Sequence, residues 1–520
     1  MNTSEFLTIS AAIVPERPAI IFEGKTTTFG EMNERANRLA NALAGLGVKK
    51  GDRVALLHVN TPACVEAYFA TAKLGAIYVP LNYRAKADEL EYMVNFAEVH
   101  TLLVGDRYID LINPQRSRLN TVKNYISIDT RRTDMLNYEE LIAAAPADEV
   151  MPDIDDDDCS IIMFTAGTTG RPKGAMLANK NFTTYILENV TPADPELEER
   201  NILTVPLYHI AGTQAMMAAI YGGRTLVLER QFNAVEWMEL VEREKANRAM
   251  MVPTMLVQLM DHPEFSKHDL SSLKVITYGA APMPITAIKK AMQLFPGVSF
   301  INAFGQTETA STITMLSPED HVIPENLSEA EKEKRLKRLT SIGKPVANVE
   351  MKVIDESGNE VGPGVIGEIL ARGPRVMAGY WKDAEKTAKA IDKDGWLHTN
   401  DIGYRDEDGY FYLSGRATDM IKRGGEQISP EEVELVLQEH PAIGEVAIIG
   451  IPDDEWGEVP MACVVLKSDA VCTADEITEF CRVRLASYKR PRSVVFCAEL
   501  PRNPMGKILK RVLRDQYGKS

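Results

Sequence analysis

A chain of 520 residues is too long for one ordinary hydrophobic core and predicts two or more domains. With 45% hydrophobic and 25% charged residues it is neither disordered nor membrane-spanning in character, because no apolar run approaches the roughly 20 residues that cross a bilayer. A net charge of −16 argues against a nucleic-acid partner, so an anionic ligand would need a locally positive site.

Glu5 precedes the first short apolar stretch and no Lys or Arg occurs before Arg17, so the charged start of a signal peptide is missing. The last residues, Tyr517 to Ser520, are not a peroxisomal address, and the expected location is the cytoplasm. A dimer is compatible with these totals. Residues 31–46 place Leu39, Leu43 and Leu46 at helical spacing, with Gly47 as a stop. Residues 53–57 then read as a buried strand, and the pattern returns at 101–104, 225–228 and 274–277, with an amphipathic stretch at 235–244. Strands alternating with helices predict a largely parallel, layered α/β body without solenoid repeats. The four carboxylates 155–158 could hold a metal, but before the apolar strand 159–164 they read as a solvated turn. Residues 328–339 begin with a capping box, Ser328 and Glu331, and are dense in charge, which predicts an exposed helix. After Gly415 the pattern changes: helices at 431–440, 475–485 and 508–517 and strands at 445–451 and 461–466 predict a small α+β domain. The boundary falls at 416–419, giving domains 1–416 and 417–520. Six scattered cysteines without C-x-x-C pairs predict reduced thiols, mostly in the core.

The most specific segment follows the strand 159–164 and runs Phe164, Thr165, Ala166, Gly167, Thr168, Thr169, Gly170, Arg171, Pro172, Lys173, Gly174. Its glycines free the backbone for close approach, its hydroxyls and N–H groups donate to phosphate oxygens, and Lys173 adds positive charge. It is a phosphate loop without Walker spacing, since Lys173 precedes glycine.

Here the chain resembles the adenylate-forming superfamily of acyl-CoA synthetases, peptide-synthetase adenylation domains and firefly luciferases, and the resemblance runs from Pro18 to Lys507. It implies that 1–416 binds AMP and the acyl group and that 417–520 is a mobile domain carrying a catalytic lysine. The family's loop usually has serine where this chain has Ala166. The segment Asn302, Ala303, Phe304, Gly305, Gln306, Thr307, Glu308 matches its second signature: Phe304 would flank adenine, Thr307 would reach the α-phosphate, and Glu308, with Thr168, would help hold Mg²⁺. Taken alone, Glu308 reads as a cap or surface carboxylate. Gly279, Ala280 and Ala281 look like the adenine-side turn. Asp401 would accept both ribose hydroxyls, in a T-G-D element where Asn400 replaces glycine, a residue that tolerates a left-handed backbone. In isolation Asp401 is a turn aspartate. Arg416 would bind ribose or phosphate at an interdomain hinge, where Thr418 departs from the usual Asp or Lys, followed by Lys422 and the glycine loop Gly424, Gly425. Lys507 matches the lysine that neutralises charge as a carboxylate attacks the α-phosphate; in isolation it is surface charge near a C-terminus. His209 sits where family members place a histidine between acyl pocket and phosphates, and a satisfied core histidine fits it equally well.

The resemblance thus implies an acid–thiol ligase using ATP, Mg²⁺ and coenzyme A on a monocarboxylic acid, medium-chain fatty, aromatic or alicyclic. Gly212, Gly279 and Gly305 would leave the pocket roomy if they line it. The alternatives are a ligase loading a carrier protein, an amino-acid adenylating module, and a non-catalytic nucleotide-binding homologue. Against the amino-acid module, Phe232-Asn233 stands where such modules have Phe-Asp.

Overall fold

The computed structural model describes the chain except for residues 166–170, 325, 417–418, 424–425, 454–455, 503–507 and 519–520, and at 422, 426 and 427 it describes the backbone alone. The described residues divide into two compact units, one of 1–339, 343–350 and 371–397, the other of 340–342, 351–370 and 398–520.

The first unit is a layered α/β body. Its larger sheet runs in the order Lys344–Pro345, Ser311–Leu316, Ser299–Gln306, Val275–Gly279, Arg248–Met251, Arg200–Leu203, Thr225–Leu228, Pro18–Phe22, Lys25–Thr28. Neighbours from Ser299–Gln306 to Pro18–Phe22 are parallel, and antiparallel pairs close both edges. A second sheet runs Gly379–Tyr380, Lys173–Ala178, Cys159–Thr165, Ile77–Pro80, Arg53–Leu57, Val99–Val104, Asn124–Ser127, Leu136–Asn137. Helices lie between the two sheets. Leu39 and Leu43 of Phe29–Gly45 and Phe69 of Pro62–Leu74 share one core with Ile20 and Leu226 of one sheet and Val54 and Ile161 of the other. The alternate residues Ala55, Leu57, Leu102 and Ile162 enter a separate core on the opposite face. This two-sided burial is why 54–57 is apolar throughout instead of alternating with polar residues. Fully burying each such leucine or isoleucine stabilises the fold by about 1.5–3 kcal/mol.

Local chemistry sets the ends of these elements. The helix predicted at 31–46 begins earlier, at Phe29, because Thr28 accepts from the Glu31 N–H (3.2 Å) and donates its own N–H to Glu31 Oε2 (2.8 Å). Residues 155–158 form the expected turn, pinned by the Asp155 N–H on Asp158 Oδ2 (2.7 Å) and by Lys50 on Asp158 (2.7 Å). The helix Glu329–Arg338 has its capping box and buries no side chain. All six cysteines are free thiols, and Cys64, Cys463, Cys472 and Cys481 are buried. Among the described residues no helix is long and apolar enough to cross a membrane.

The second unit contains most of a four-stranded sheet, in the order Glu350–Ile354, Gly367–Arg372, Leu397–Arg405, Phe411–Arg416. It also contains the sheet Glu426–Ile428, Ile421–Arg423, Gly457–Leu466, Ile443–Asp453, with Ser493–Phe496 paired parallel to Gly457–Leu466. One face of this second sheet packs Ile448, Ala462 and Val464 against Val433 and Leu437 of Pro430–Gln438 and Ile477 and Cys481 of Ala474–Arg482. Ala447, Ile449, Met461 and Cys463 on the other face meet Leu500 and Leu513.

Candidate active site

In the first unit the strands Cys159–Thr165 and Lys173–Ala178 are antiparallel, with Phe164 opposite Gly174 and Thr165 opposite Lys173. The ends of the phosphate segment are therefore fixed by a sheet ladder. Its central residues Ala166, Gly167, Thr168, Thr169 and Gly170 lie outside the described residues. Lys173 Nζ stands 5.0 Å from the centroid of the Tyr380 ring. Tyr380 belongs to the edge strand paired with Lys173–Ala178, in register with Ala175, and its hydroxyl donates to Glu308 Oε1 at 2.8 Å. Burial and the adjacent Glu308 carboxylate push this phenol far above its ordinary pKa, so it remains a neutral donor. Among the described residues Lys173 forms no ion pair. One tyrosine thus holds a cation against its face and a carboxylate at its hydroxyl, without letting the two neutralise each other.

Glu308 sits in the tight turn Thr307–Thr309, which Ala310 closes in the left-handed region (φ 46°). Thr309 Oγ1 accepts from the Gln306 N–H (3.0 Å) and donates to Ser311 O (2.8 Å), while the Met377 N–H donates to Glu308 O (2.9 Å). Beside this turn, Val275–Gly279 and Ser299–Gln306 are parallel neighbours with Gly279 opposite Ala303. Gly279, Ala280 and Ala281 therefore lie next to Asn302, Ala303, Phe304, Gly305 and Gln306 at the carboxyl ends of two parallel strands, where open α/β sheets bind ligands. Ala280 has φ 65°, a left-handed alanine that costs about 1–2 kcal/mol and is held by its surroundings.

The glycines do other work than opening a pocket. A Cβ on Gly279 would lie 2.1 Å from Ala303 O, one on Gly305 would lie 1.5 Å from Ser311 O, and one on Gly212 would lie 2.3 Å from Pro206 O. Main chain already fills the space these glycines leave, so they serve close backbone packing. Asn233 is likewise committed to a structural task, since its Oδ1 accepts from the Val235 and Glu236 N–H groups (3.0 and 3.1 Å) and caps Ala234–Glu244.

His209 is the N-cap residue of Ile210–Tyr221, with an extended backbone and no side-chain capping bond. Burial lowers its pKa to about 4, so the imidazole is neutral at pH 7, and its buried Nδ1 has no partner among the described residues. It lies edge-on to Tyr208 (6.2 Å), which meets Tyr83 edge-on (5.1 Å).

In the second unit Asp401 and Arg416 face each other across the antiparallel strands Leu397–Arg405 and Phe411–Arg416. Arg416 Nε lies 2.7 Å from Asp401 Oδ1, and the aspartate is only 4% exposed. Asn400 has φ 58°, the left-handed backbone that glycine usually supplies. The Asp401 N–H donates to Thr399 Oγ1 (3.1 Å), which donates in turn to Ile369 O (2.6 Å). The side chain of Lys422, and Thr418, Gly424, Gly425 and Lys507, lie outside the described residues.

Tyr380 carries no sequence signal of its own, because its link to Lys173 and Glu308 depends on strand pairing across more than two hundred residues of chain. Tyr380→Phe is expected to keep the fold and lose one hydrogen bond to a carboxylate, about 1.5–3 kcal/mol at most. In steady-state kinetics it should raise the KM for MgATP several-fold; an unchanged KM would remove Tyr380 from the site.

A family model described as AMP-binding enzyme matches residues 7–381, and a second, AMP-binding enzyme C-terminal domain, matches residues 432–507. The chain is 35% identical over 511 residues to a feruloyl-CoA synthase of Amycolatopsis sp, covering 98% of this chain and 97% of that protein. It is 32% identical over 520 residues to an indoleacetate–CoA ligase of Aromatoleum aromaticum, covering 99% and 98%. Among solved structures, an anthranilate CoA ligase in complex with anthranoyl-AMP superposes with a TM-score of 0.89 at 29% identity, covering 99% of this chain and 97% of that one.

Proposed function

Because the chain belongs to the family of AMP-binding, adenylate-forming enzymes, we propose that it activates an aromatic, alicyclic or medium-chain carboxylic acid with ATP and passes the acyl group to coenzyme A. It is an enzyme, an acid–thiol ligase of the AMP-forming type. The single observation that carries the finer reading is the grouping of Lys173, Tyr380 and Glu308 beside the ends of the strands bearing 279–281 and 302–306.

The chemistry needs two displacements. A substrate carboxylate oxygen attacks the α-phosphorus of ATP, the bond to the β-phosphate oxygen breaks, and pyrophosphate leaves. The thiolate of coenzyme A then attacks the acyl carbon and AMP leaves, the thiol proton having gone to solvent. The first step calls for positioning and charge neutralisation more than covalent help. Lys173 would place positive charge beside the phosphates, the loop 166–170 would donate to them, and Lys507 would meet the charge that develops on attack. Neutral His209 would line the acyl side without competing as a cation. Asp401 and Arg416 would hold the ribose, and the 416–419 hinge would let 417–520 present Lys507 and then the Gly424–Gly425 loop in turn.

Glu308 fits a magnesium ion, which takes few carboxylates and keeps phosphate oxygens and water for its other positions. When bound, the ion would supply neutralisation of the triphosphate charge; Tyr380 fixes the orientation of the carboxylate that would hold it.

The purified protein with MgATP, coenzyme A and an accepted acid is expected to release AMP and pyrophosphate in equal amounts and to catalyse acid-dependent ATP–pyrophosphate exchange without coenzyme A. ADP and orthophosphate as products would sink the reading. Thioester formed with a carrier protein but not with coenzyme A would favour the carrier-loading alternative.

A further inference from the structure

Arg375 is 2% exposed, yet no carboxylate pairs with it among the described residues. One terminal nitrogen, Nη2, donates to Gln214 Oε1 (2.5 Å) and to Ala310 O, and the guanidinium lies 4.4 Å from the centroid of the Tyr185 ring. Gln214 is itself fixed by its Nε2 on Thr312 Oγ1 (3.2 Å). The Nε and Nη1 groups are buried and have no hydrogen-bond partner among the described residues. All the contacts it does make are electrically neutral, since burial also holds the Tyr185 phenol protonated. A buried cation with only neutral neighbours and unanswered N–H groups is costly to keep, and the cost falls sharply when an anion meets it.

Its position says which anion. Gln214 stands five residues into the helix that His209 caps, about 7–8 Å along the axis at 1.5 Å per residue. Ala310 closes the turn that carries Glu308. Arg375 thus ties together the two elements that place His209 and Glu308, and it meets the first of them at Gln214, about 7–8 Å along the helix from His209. Resting on the ligase reading, we infer that Arg375 is a specificity-determining residue that receives a second carboxylate, at the far end of the acid whose first carboxylate is activated. This departs from the expectation of a plain monocarboxylic substrate. A guanidinium suits the task because its planar donors match carboxylate geometry and it does not lose its charge on burial at neutral pH.

The test compares matched acids in acid-dependent pyrophosphate exchange: adipate against hexanoate, and terephthalate against 4-methylbenzoate. The wild-type enzyme should favour the dicarboxylate of at least one pair by on the order of tenfold or more in kcat/KM, the size of a charge-assisted contact. Arg375→Met should abolish or reverse that preference, mainly through the KM for the acid, and Arg375→Lys should keep part of it. A wild-type enzyme that prefers the plain acids, or an Arg375→Met enzyme that retains the preference, overturns the inference and leaves the ligase reading standing. Exchange with no acid, together with no adipate binding in calorimetry, overturns both. If Arg375→Met does not fold, the wild-type and Arg375→Lys preferences decide.

Discussion

Asp401→Ala is expected to lower kcat/KM for ATP roughly ten- to a hundredfold, the equivalent of about 1.5–3 kcal/mol for a hydrogen bond involving a charged group. The residue is built for a fixed carboxylate: it is 4% exposed, faces Arg416 at 2.7 Å across a strand pair, and follows a left-handed Asn400. Removing it also leaves Arg416 without that partner, so part of any loss could be structural. Asp401→Asn separates the two causes, because it keeps the shape and one acceptor oxygen but gives up the charge and the second acceptor that two ribose hydroxyls require. Both variants should raise the KM for ATP while the KM for the acid stays put. Asn400→Gly should be mild, since glycine adopts the same φ at a cost of a few tenths to 1 kcal/mol in chain entropy. If Asp401→Asn matched the wild type in kcat/KM for ATP and lost only thermal stability, the pair would be a strand-to-strand bridge and the ribose assignment would fail.

The sequence made the strands of the first unit readable because their burial is two-sided. Runs such as 54–57 and 226–228 are apolar at every position, and each follows a polar residue, Arg53 or Thr225. Contiguous motifs made the candidate site residues nameable as candidates, and Asn400 shows that even a departure could be interpreted, since its φ of 58° is what a substituted glycine demands. What stayed hidden depends on which strands become neighbours. Tyr380 joins Lys173 to Glu308 only because Gly379–Tyr380 adds to the edge of Lys173–Ala178, and Arg375 meets Gln214 and Ala310 only once helix and turn are packed. The glycines misled for a related reason. Gly279 and Gly305 lack side chains because main-chain carbonyls come within about the length of a covalent bond or two of where a Cβ would stand, a closeness no one-dimensional pattern records. The division of the chain was harder still, since the unit holding Asp401 also recruits 340–342 and 351–370 from earlier in the sequence.

The largest effect is expected at Lys507, which should slow acid-dependent pyrophosphate exchange by roughly a hundredfold or more when changed to alanine, the size of losing a preorganised charge contact in the transition state. The argument for this magnitude is that the attacking carboxylate and the α-phosphate are both anionic, so a cation placed between them acts on the transition state more than on either ground state. The same variant should leave the reaction of supplied acyl-AMP with coenzyme A nearly intact, because the phosphoryl chemistry is then already done. Gly425→Leu should show the opposite pattern. A branched side chain in a glycine loop would obstruct the pantetheine arm and spare the nucleotide site, so exchange should survive while thioester formation falls. Destabilisation of the C-terminal region is the competing cause, and it predicts a different signature: both half-reactions would fall together and the thermal midpoint would drop with them. Measuring exchange, acyl-AMP thiolysis and thermal unfolding on each variant therefore separates the two accounts. Opposed losses in the two variants support one small domain serving two steps in alternation, and parallel losses would refute it.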